Sequence, residues 1–186
     1  DGNPFVTAEI TNQVADELRL NLMKCYYNEL KALRKKLSFK KLQKSLAALN
    51  TKLFKAMFQE NYLVGYEEII EKLSETRQLL IEHYYGLYLD DLDKLIDKVH
   101  IFKTHFANLD IRQDHSKHYL AVTEILKQEK AIECTLDELS EEALVDWLLK
   151  KEIKLNPEDY KDDIVHDTIV NIQQLKAIQA KNGEEG

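Results

Sequence analysis

The sequence predicts a mainly α-helical protein, and three observations predict it. The 186 residues include only five Gly and two Pro, too few for the many tight turns of a β-sandwich or a hairpin barrel. Apolar residues recur every three or four positions through most of the chain, which is the period of an amphipathic helix. Hydrophobic residues make up 44% and charged residues 32% of the chain, a balance typical of globular proteins.

The helices can be placed in order from their apolar stripes. The first stripe extends from Thr7 to about Leu37, and Ser38 is a suitable N-cap for a second helix that lasts until the pattern breaks at 61–65. Gly86 stands where a left-handed C-cap would end the third helix. The helices predicted after that break are 66–85, 90–104, 115–130, 141–151 and 163–181.

Local signals support parts of this assignment. Thr135 and Glu138 have the spacing of a capping box, and Ser140 can cap the helix that follows it. Three aromatic residues near the end of the second helix recur at helical spacing, so we expect them in the core rather than in a ligand site: Phe54, Phe58 and Tyr62.

The period changes to two near residues 106–112, which predicts one short strand. Asp110 and Arg112 then lie on one face, about 6.6–7 Å apart. An arginine braced by a neighbouring carboxylate can present a fixed guanidinium, which suits bidentate binding of phosphate or carboxylate. The alternative is a surface ion pair on an edge strand, and the residues alone leave both interpretations open.

Charge is unevenly distributed along the chain. The net charge is −7, yet no acidic residue occurs between Glu29 and Glu60, a stretch that is rich in Lys and Arg. This run could form a nucleic-acid face, or it could be a basic helix lying against the acidic helix that follows. We favour the second interpretation because the whole chain is acidic, and we expect no nucleic-acid partner.

Several other functions are excluded or disfavoured. The chain contains no phosphate-binding loop, dinucleotide fingerprint, nucleophile elbow or zinc-protease helix. His115 and His118, with Asp110 and Asp114 nearby, could share a metal ion, but their spacing is common by chance and fixes no third ligand. We therefore predict no metal site among these residues.

The sequence also disfavours a membrane protein and a disulfide-stabilised protein. No stretch approaches the ~18 apolar residues of a membrane span, and no signal segment is present. We expect no membrane partner and a cytoplasmic location. Cys25 and Cys134 are too few for a disulfide framework and lack metal-binding spacing, so we expect buried free thiols.

Two motifs, in order, resemble the phosphoenolpyruvate carboxylase family. Residues 1–11, Asp-Gly-Asn-Pro-Phe-Val-Thr-Ala-Glu-Ile-Thr, resemble the end of the family motif Gly-Gly-Asp-Arg-Asp-Gly-Asn-Pro and the Val-Thr-x-Glu-x-Thr that follows it. Residues 109–114, with His118 four positions on, resemble Leu-Asp-Ile-Arg-Gln-Glu-Ser-x-x-His. Asp114 replaces the usual Glu and His115 the usual Ser, and the stretch between the motifs is shorter than in the longest members.

The resemblance implies a fold: a helical fragment of an α/β-barrel enzyme. Residues 1–186 would form a single internal fragment of a larger catalytic chain. An active-site loop and long helices would occupy 1–105, a barrel strand 106–112 and further helices 113–186. The start at Asp1 without Met agrees with this interpretation.

The resemblance also implies a function, that of a carbon–carbon lyase. The family adds bicarbonate to phosphoenolpyruvate with Mg²⁺ or Mn²⁺, giving oxaloacetate and phosphate, and is usually a homotetramer. Arg112 would hold the substrate phosphate, Asp110 and Gln113 would support it, and an active-site loop would contain Asp1, Gly2 and Asn3. The metal ligands would lie outside this fragment, which alone would be inactive. The alternative is a non-catalytic helical scaffold or adaptor.

Overall fold

A computed structural model describes residues 7–59, 62–133 and 135–184. These residues form helices and their connections, with no β-strand among them, so the prediction of a mainly α protein is confirmed. No helix in this part of the chain is long and apolar enough to cross a membrane. The α-helices are α1 (Ala8–Lys36), α2 (Lys40–Phe58), α3 (Tyr66–Tyr84), α4 (Leu89–Phe102), α5 (His115–Gln128), α6 (Glu141–Lys150) and α7 (Asp163–Asn182).

The chain divides into two compact units. The first, here called the bundle unit, comprises Asn12–Leu109 and Ile178–Gly186. The second, called the α5–α7 unit, comprises Asp1–Thr11 and Asp110–Ala177. Each unit is described by itself below.

Four antiparallel helices, α1 to α4, form the bundle unit. Along α1, Glu29 pairs with Lys98 (2.6 Å between Oε1 and Nζ) and Lys36 pairs with Asp91 (2.7 Å between Nζ and Oδ2). Residues later in α1 thus pair with residues earlier in α4, which shows that the two helices are antiparallel. Lys52 of α2 pairs with Glu68 of α3, so the basic second helix lies against the acidic third helix as predicted.

Leucine side chains from all four helices fill the centre of the bundle. The apolar stripe of each helix turns toward this core, as expected for an up-and-down bundle with short connections. Tyr85 (φ +54°) and Gly86 (φ +69°) end α3 in the left-handed conformation, so the cap begins one residue before the predicted glycine. Core leucines that are at most 1% exposed include Leu30, Leu37, Leu42, Leu46, Leu53, Leu73, Leu80 and Leu92.

Three predictions about the first two helices are wrong. Phe39, not Ser38, is the residue before α2, and no side chain caps that helix. Phe54 and Phe58 are 47% and 69% exposed, with ring centroids 4.8 Å apart, because Leu46, Leu49 and Leu53 already fill the buried face of α2. Tyr62, the third aromatic residue predicted in the core, is partly buried and packs against it. Cys25 is exposed, and Cys134 lies outside the described residues.

The predicted strand at 106–112 does not form. Phe106 (φ +71°) and Ala107 belong to the turn that closes α4, with the Phe106 amide donating to the Phe102 carbonyl at 3.0 Å. From Asn108 to Asp114 the chain is neither helix nor strand. The physical reason is that a strand needs a neighbour for its backbone hydrogen bonds, and the described residues contain no other strand.

A smaller apolar core holds the α5–α7 unit together. Ala121 of α5 packs with Val165 and Ile169 of α7, and Leu155 and Tyr160 cover them. The predicted caps are confirmed. Thr135 and Glu138 form the capping box of a short 3₁₀ turn, and the Ser140 hydroxyl accepts from the Ala143 amide at 3.2 Å.

Candidate functional site

The segment from Asp110 to Asp114 is the candidate site, and it lies within the α5–α7 unit. The Arg112 Nε donates to Asp110 Oδ2 at 2.8 Å. The two side chains therefore project to the same side, as the alternation in the sequence predicts, although no strand holds them. Both are open to solvent, with the Arg112 side chain 87% and the Asp110 side chain 71% exposed.

The pair leaves the outer end of the guanidinium free. Asp110 engages the Nε of Arg112, while Nη1 and Nη2 of Arg112 have no hydrogen-bond partner within residues 7–59, 62–133 and 135–184. A guanidinium offers five donors in a planar arrangement. The two free amino groups can therefore donate in parallel to a phosphate or carboxylate while the carboxylate of Asp110 orients the plane.

Gln113 ties the segment to α7. Its side-chain Nε2 donates to the hydroxyl of Thr168 at 2.9 Å. Thr168 is 1% exposed and donates in turn to the Ile164 carbonyl at 2.7 Å. The chain directly after Arg112 is thus held by a contact that does not use the guanidinium. The sequence contains no local signal for the Gln113–Thr168 contact, because the two residues are 55 positions apart.

Asp114 ends the segment by capping α5. Its Oδ1 accepts from the Ser116 amide at 2.8 Å. Hydrogen bonding to the Ser116 side chain, and then to the Ser116 backbone, holds the pKa of the Asp114 carboxyl below its usual value. The replacement of the family's Glu by Asp therefore places a short side chain where an N-cap is needed. The cap fixes the direction in which the chain leaves Arg112.

Other predicted site residues are not brought to this segment by the described part of the chain. Asp1, Gly2 and Asn3 lie outside the described residues. His115 and His118 are exposed on the first turn of α5, and no three His, Cys, Asp or Glu side chains among the described residues come together as a metal-binding group. The donor set present here therefore does not fit a metal ion.

The guanidinium of Arg112, oriented by Asp110, makes this segment of the helical α5–α7 unit a candidate anion-binding segment. Comparison with known proteins shows the family of the chain. The family model described as phosphoenolpyruvate carboxylase matches residues 1–60 and 40–186. The chain belongs to the phosphoenolpyruvate carboxylase family. The two recognised motifs, at 1–11 and 109–118, both fall within these matches.

Individual relatives agree with the family assignment. The phosphoenolpyruvate carboxylase of Gloeobacter violaceus is 25% identical over 240 residues, which cover all of this chain and 26% of the relative. That of Synechococcus sp. is 27% identical and covers 99% of this chain and 23% of its own length. That of Trichormus variabilis is 28% identical, over 80% of this chain and 19% of the relative's own length. The chain thus spans about a quarter or less of these relatives.

The alignments also contain a difference in length. The matched spans of 240 and 242 residues in two relatives exceed the 186 residues of the chain. Residues 40–60, which include α2, belong to both matches of the family model. These relatives therefore have residues within this span that the chain lacks, in agreement with the short distance between its two motifs.

Proposed function

We propose that this chain is part of an enzyme that carboxylates phosphoenolpyruvate with bicarbonate, giving oxaloacetate and phosphate. Family membership over the whole chain supports this proposal. The observation that carries it is the arrangement at Arg112, whose Nε is held by Asp110 at 2.8 Å while its outer amino groups have no partner among the described residues. A non-catalytic scaffold would not require an oriented guanidinium whose outer amino groups are open to a ligand.

In this proposal Arg112 binds the phosphate of phosphoenolpyruvate. The substrate carries phosphate and carboxylate groups, and the reaction moves negative charge between phosphate, carboxylate and enolate oxygens. Fixed cations stabilise such charge better than mobile ones, since they need no reorganisation during the reaction. Asp110 orients the guanidinium, Gln113 anchors the neighbouring backbone through Thr168, and Arg112 donates two parallel N–H bonds to phosphate oxygens.

The remaining elements of the site are proposed from the resemblance. Asp1, Gly2 and Asn3 would belong to an active-site loop. Mg²⁺ or Mn²⁺ would act in the complete enzyme, but the described residues contain no group of donors that fits it, so no step here passes through a metal. We infer that the complete enzyme is a homotetramer in the cytoplasm, as the family resemblance implies.

The test is substitution of Arg112 in the complete enzyme. Arg112→Lys retains the positive charge but loses the planar donor pair, so it should not rescue activity. We expect both Arg112→Ala and Arg112→Lys to lower kcat/KM for phosphoenolpyruvate by about 100-fold or more, as loss of a charged hydrogen-bonding group at a reacting phosphate does. Steady-state kinetics measure the loss, and circular dichroism shows that the helices are retained.

Arg77→Lys is the matched control. Arg77 also binds an aspartate through Nε, at 2.8 Å from Asp93 Oδ1, but its Nη2 is engaged by the same carboxylate at 3.2 Å. Both oxygens of Asp93 thus occupy one edge of this guanidinium, which lies on the bundle unit and not in the candidate site, and we expect near-normal kinetics. A near-normal Arg112→Lys enzyme would contradict the proposed role of Arg112.

A further inference from the structure

A hollow on the bundle unit lies between α2 and α3. It has a volume of about 380 Å³, within the range of small-molecule sites. Ser45 and Ala48 of α2 have short side chains and leave this space open, while the buried Leu49 forms part of the lining. The longer side chains of Lys41, Lys44, Lys52, Lys72 and Glu68 line the rest.

Lysines predominate among the side chains around the hollow, although their aliphatic stems make most of its wall apolar. The lining contains four lysines and one carboxylate, that of Glu68. Lys52 pairs with Glu68 across the hollow, and the Lys72 Nζ lies 2.9 Å from Glu75 Oε2 on the same helix. Lys41 and Lys44 have no carboxylate partner within the described part of the chain. Lys41 and Lys44 are thus the lining lysines that no carboxylate among the described residues neutralises.

The sequence explains why these charges are unbalanced. Lys41 and Lys44 are three residues apart on α2 and therefore project from neighbouring turns of one face. No acidic residue occurs between Glu29 and Glu60, so α2 cannot supply a partner of its own. Helix α3 supplies one carboxylate to the lining, that of Glu68, which already binds Lys52.

We propose that this hollow binds a small anion with two phosphate or carboxylate groups. Lys41 and Lys44 bind one group, and Lys72 binds the second from the α3 wall. The exposed pair of Lys72 with Glu75 is of a kind that contributes little to stability, so Lys72 can turn toward a ligand at small cost. Ammonium groups carry three donors and suit phosphate oxygens. The dimensions of the hollow favour a small molecule over a nucleic acid.

The test is a calorimetric titration of the 186-residue chain with inorganic pyrophosphate at low ionic strength. All proteins carry Arg112→Gln, so that the candidate site of the α5–α7 unit does not contribute and failure of that site leaves this result unchanged. We expect saturable binding of one pyrophosphate per chain. Lys41→Gln and Lys44→Gln should each weaken it by about fivefold, since each removes one charge-assisted contact at an exposed site.

Lys40→Gln is the control, because Lys40 lies on the same turn of α2 and is exposed but does not line the hollow. It removes the same charge, so an effect of less than about twofold shows that contact, rather than diffuse attraction, determines binding. The inference is overturned if pyrophosphate shows no saturable binding, or if Lys40→Gln weakens it as much as Lys44→Gln does.

Discussion

Tyr26 holds the carboxyl end of α4 through a single hydroxyl group. The side chain is 2% exposed, and its hydroxyl lies 2.9 Å from the Lys103 carbonyl and 3.3 Å from the Lys98 carbonyl. Burial, followed by the charges of Glu29 and Cys25, raises the pKa of Tyr26 far above its usual value. The hydroxyl thus stays protonated and donates to the Lys103 carbonyl, which follows the end of α4 and has no donor within the helix.

Removing that hydroxyl tests its contribution. We expect Tyr26→Phe to lower the free energy of unfolding by about 1 kcal/mol, because the ring still fills the core while a partly buried carbonyl loses its donor. Urea titration followed by circular dichroism measures the change. Tyr27→Phe is the control, since the neighbouring ring packs on Phe54 at 5.7 Å, and an equal loss in both variants would contradict the assignment.

At the same scale, the sequence alone was sufficient for the Asp110–Arg112 pair but not for its surroundings. Alternation along 106–112 places the two side chains on one side, and their hydrogen bond shows that relation without a strand. The Gln113–Thr168 contact could not be predicted, because it depends on how α7 packs. Asp1, Gly2 and Asn3 stay predictions.

Among the elements, α5 owes its beginning to one carboxylate. Asp114 accepts from the Ser116 amide at 2.8 Å, and this bonding lowers the pKa of the carboxyl below the usual value. A folded-state pKa below the unfolded one means that the folded chain binds the proton less tightly. The stabilising effect of Asp114 is therefore complete above the unfolded pKa and is lost as the pH falls through the folded pKa.

Asp114→Asn separates the charge from the cap. Asparagine is also a good N-cap, but its side chain does not titrate. We expect the thermal midpoint of the wild-type chain to fall further between pH 5 and pH 2 than that of Asp114→Asn, because only the wild type loses a charged cap. Melting curves followed by circular dichroism at both pH values make the comparison, and equal losses in the two proteins would contradict this role of Asp114.

Helix ends were predictable where side chain and backbone act within one turn. The capping box of Thr135 with Glu138 and the cap at Ser140 both depend on residues three positions apart. Ser38 failed as a cap because the short connection places Phe39 before α2, where its ring stacks on Tyr84 at 4.0 Å. A tertiary contact thus outweighs a local preference, and no local pattern announces it.

For the whole molecule, charge segregation predicted one contact of the bundle, that of the basic α2 with the acidic α3, where Lys52 pairs with Glu68. The pairs between α1 and α4 do not follow this segregation, since Lys36 binds Asp91 but Glu29 of α1 binds Lys98 of α4. These pairs are partly exposed and add little to stability, yet they agree with the antiparallel register that the leucine core sets. The contact between the end of α7 and α1 could not be predicted, because it joins residues 165 positions apart: the Lys181 Nζ lies 2.9 Å from Asp16 Oδ2.

The last prediction concerns the activity of the chain as a whole. We expect the 186-residue chain, given phosphoenolpyruvate, bicarbonate and Mg²⁺, to form no oxaloacetate. It spans about a quarter or less of the relatives named above, and its described residues contain no group that fits a metal ion. One positioned arginine cannot replace a site that needs a metal and several fixed cations, because the reacting groups must be held together in one geometry.

Coupling oxaloacetate to NADH oxidation through malate dehydrogenase gives the measurement, and the heat-denatured chain provides the blank. A complete carboxylase from one of the relatives, assayed in the same mixture, shows that the coupled reaction works. The expected rate for the chain equals the blank. Turnover above the blank that Arg112→Lys abolishes would show that the chain carries the whole catalytic site, in contradiction to the prediction that its metal ligands lie elsewhere.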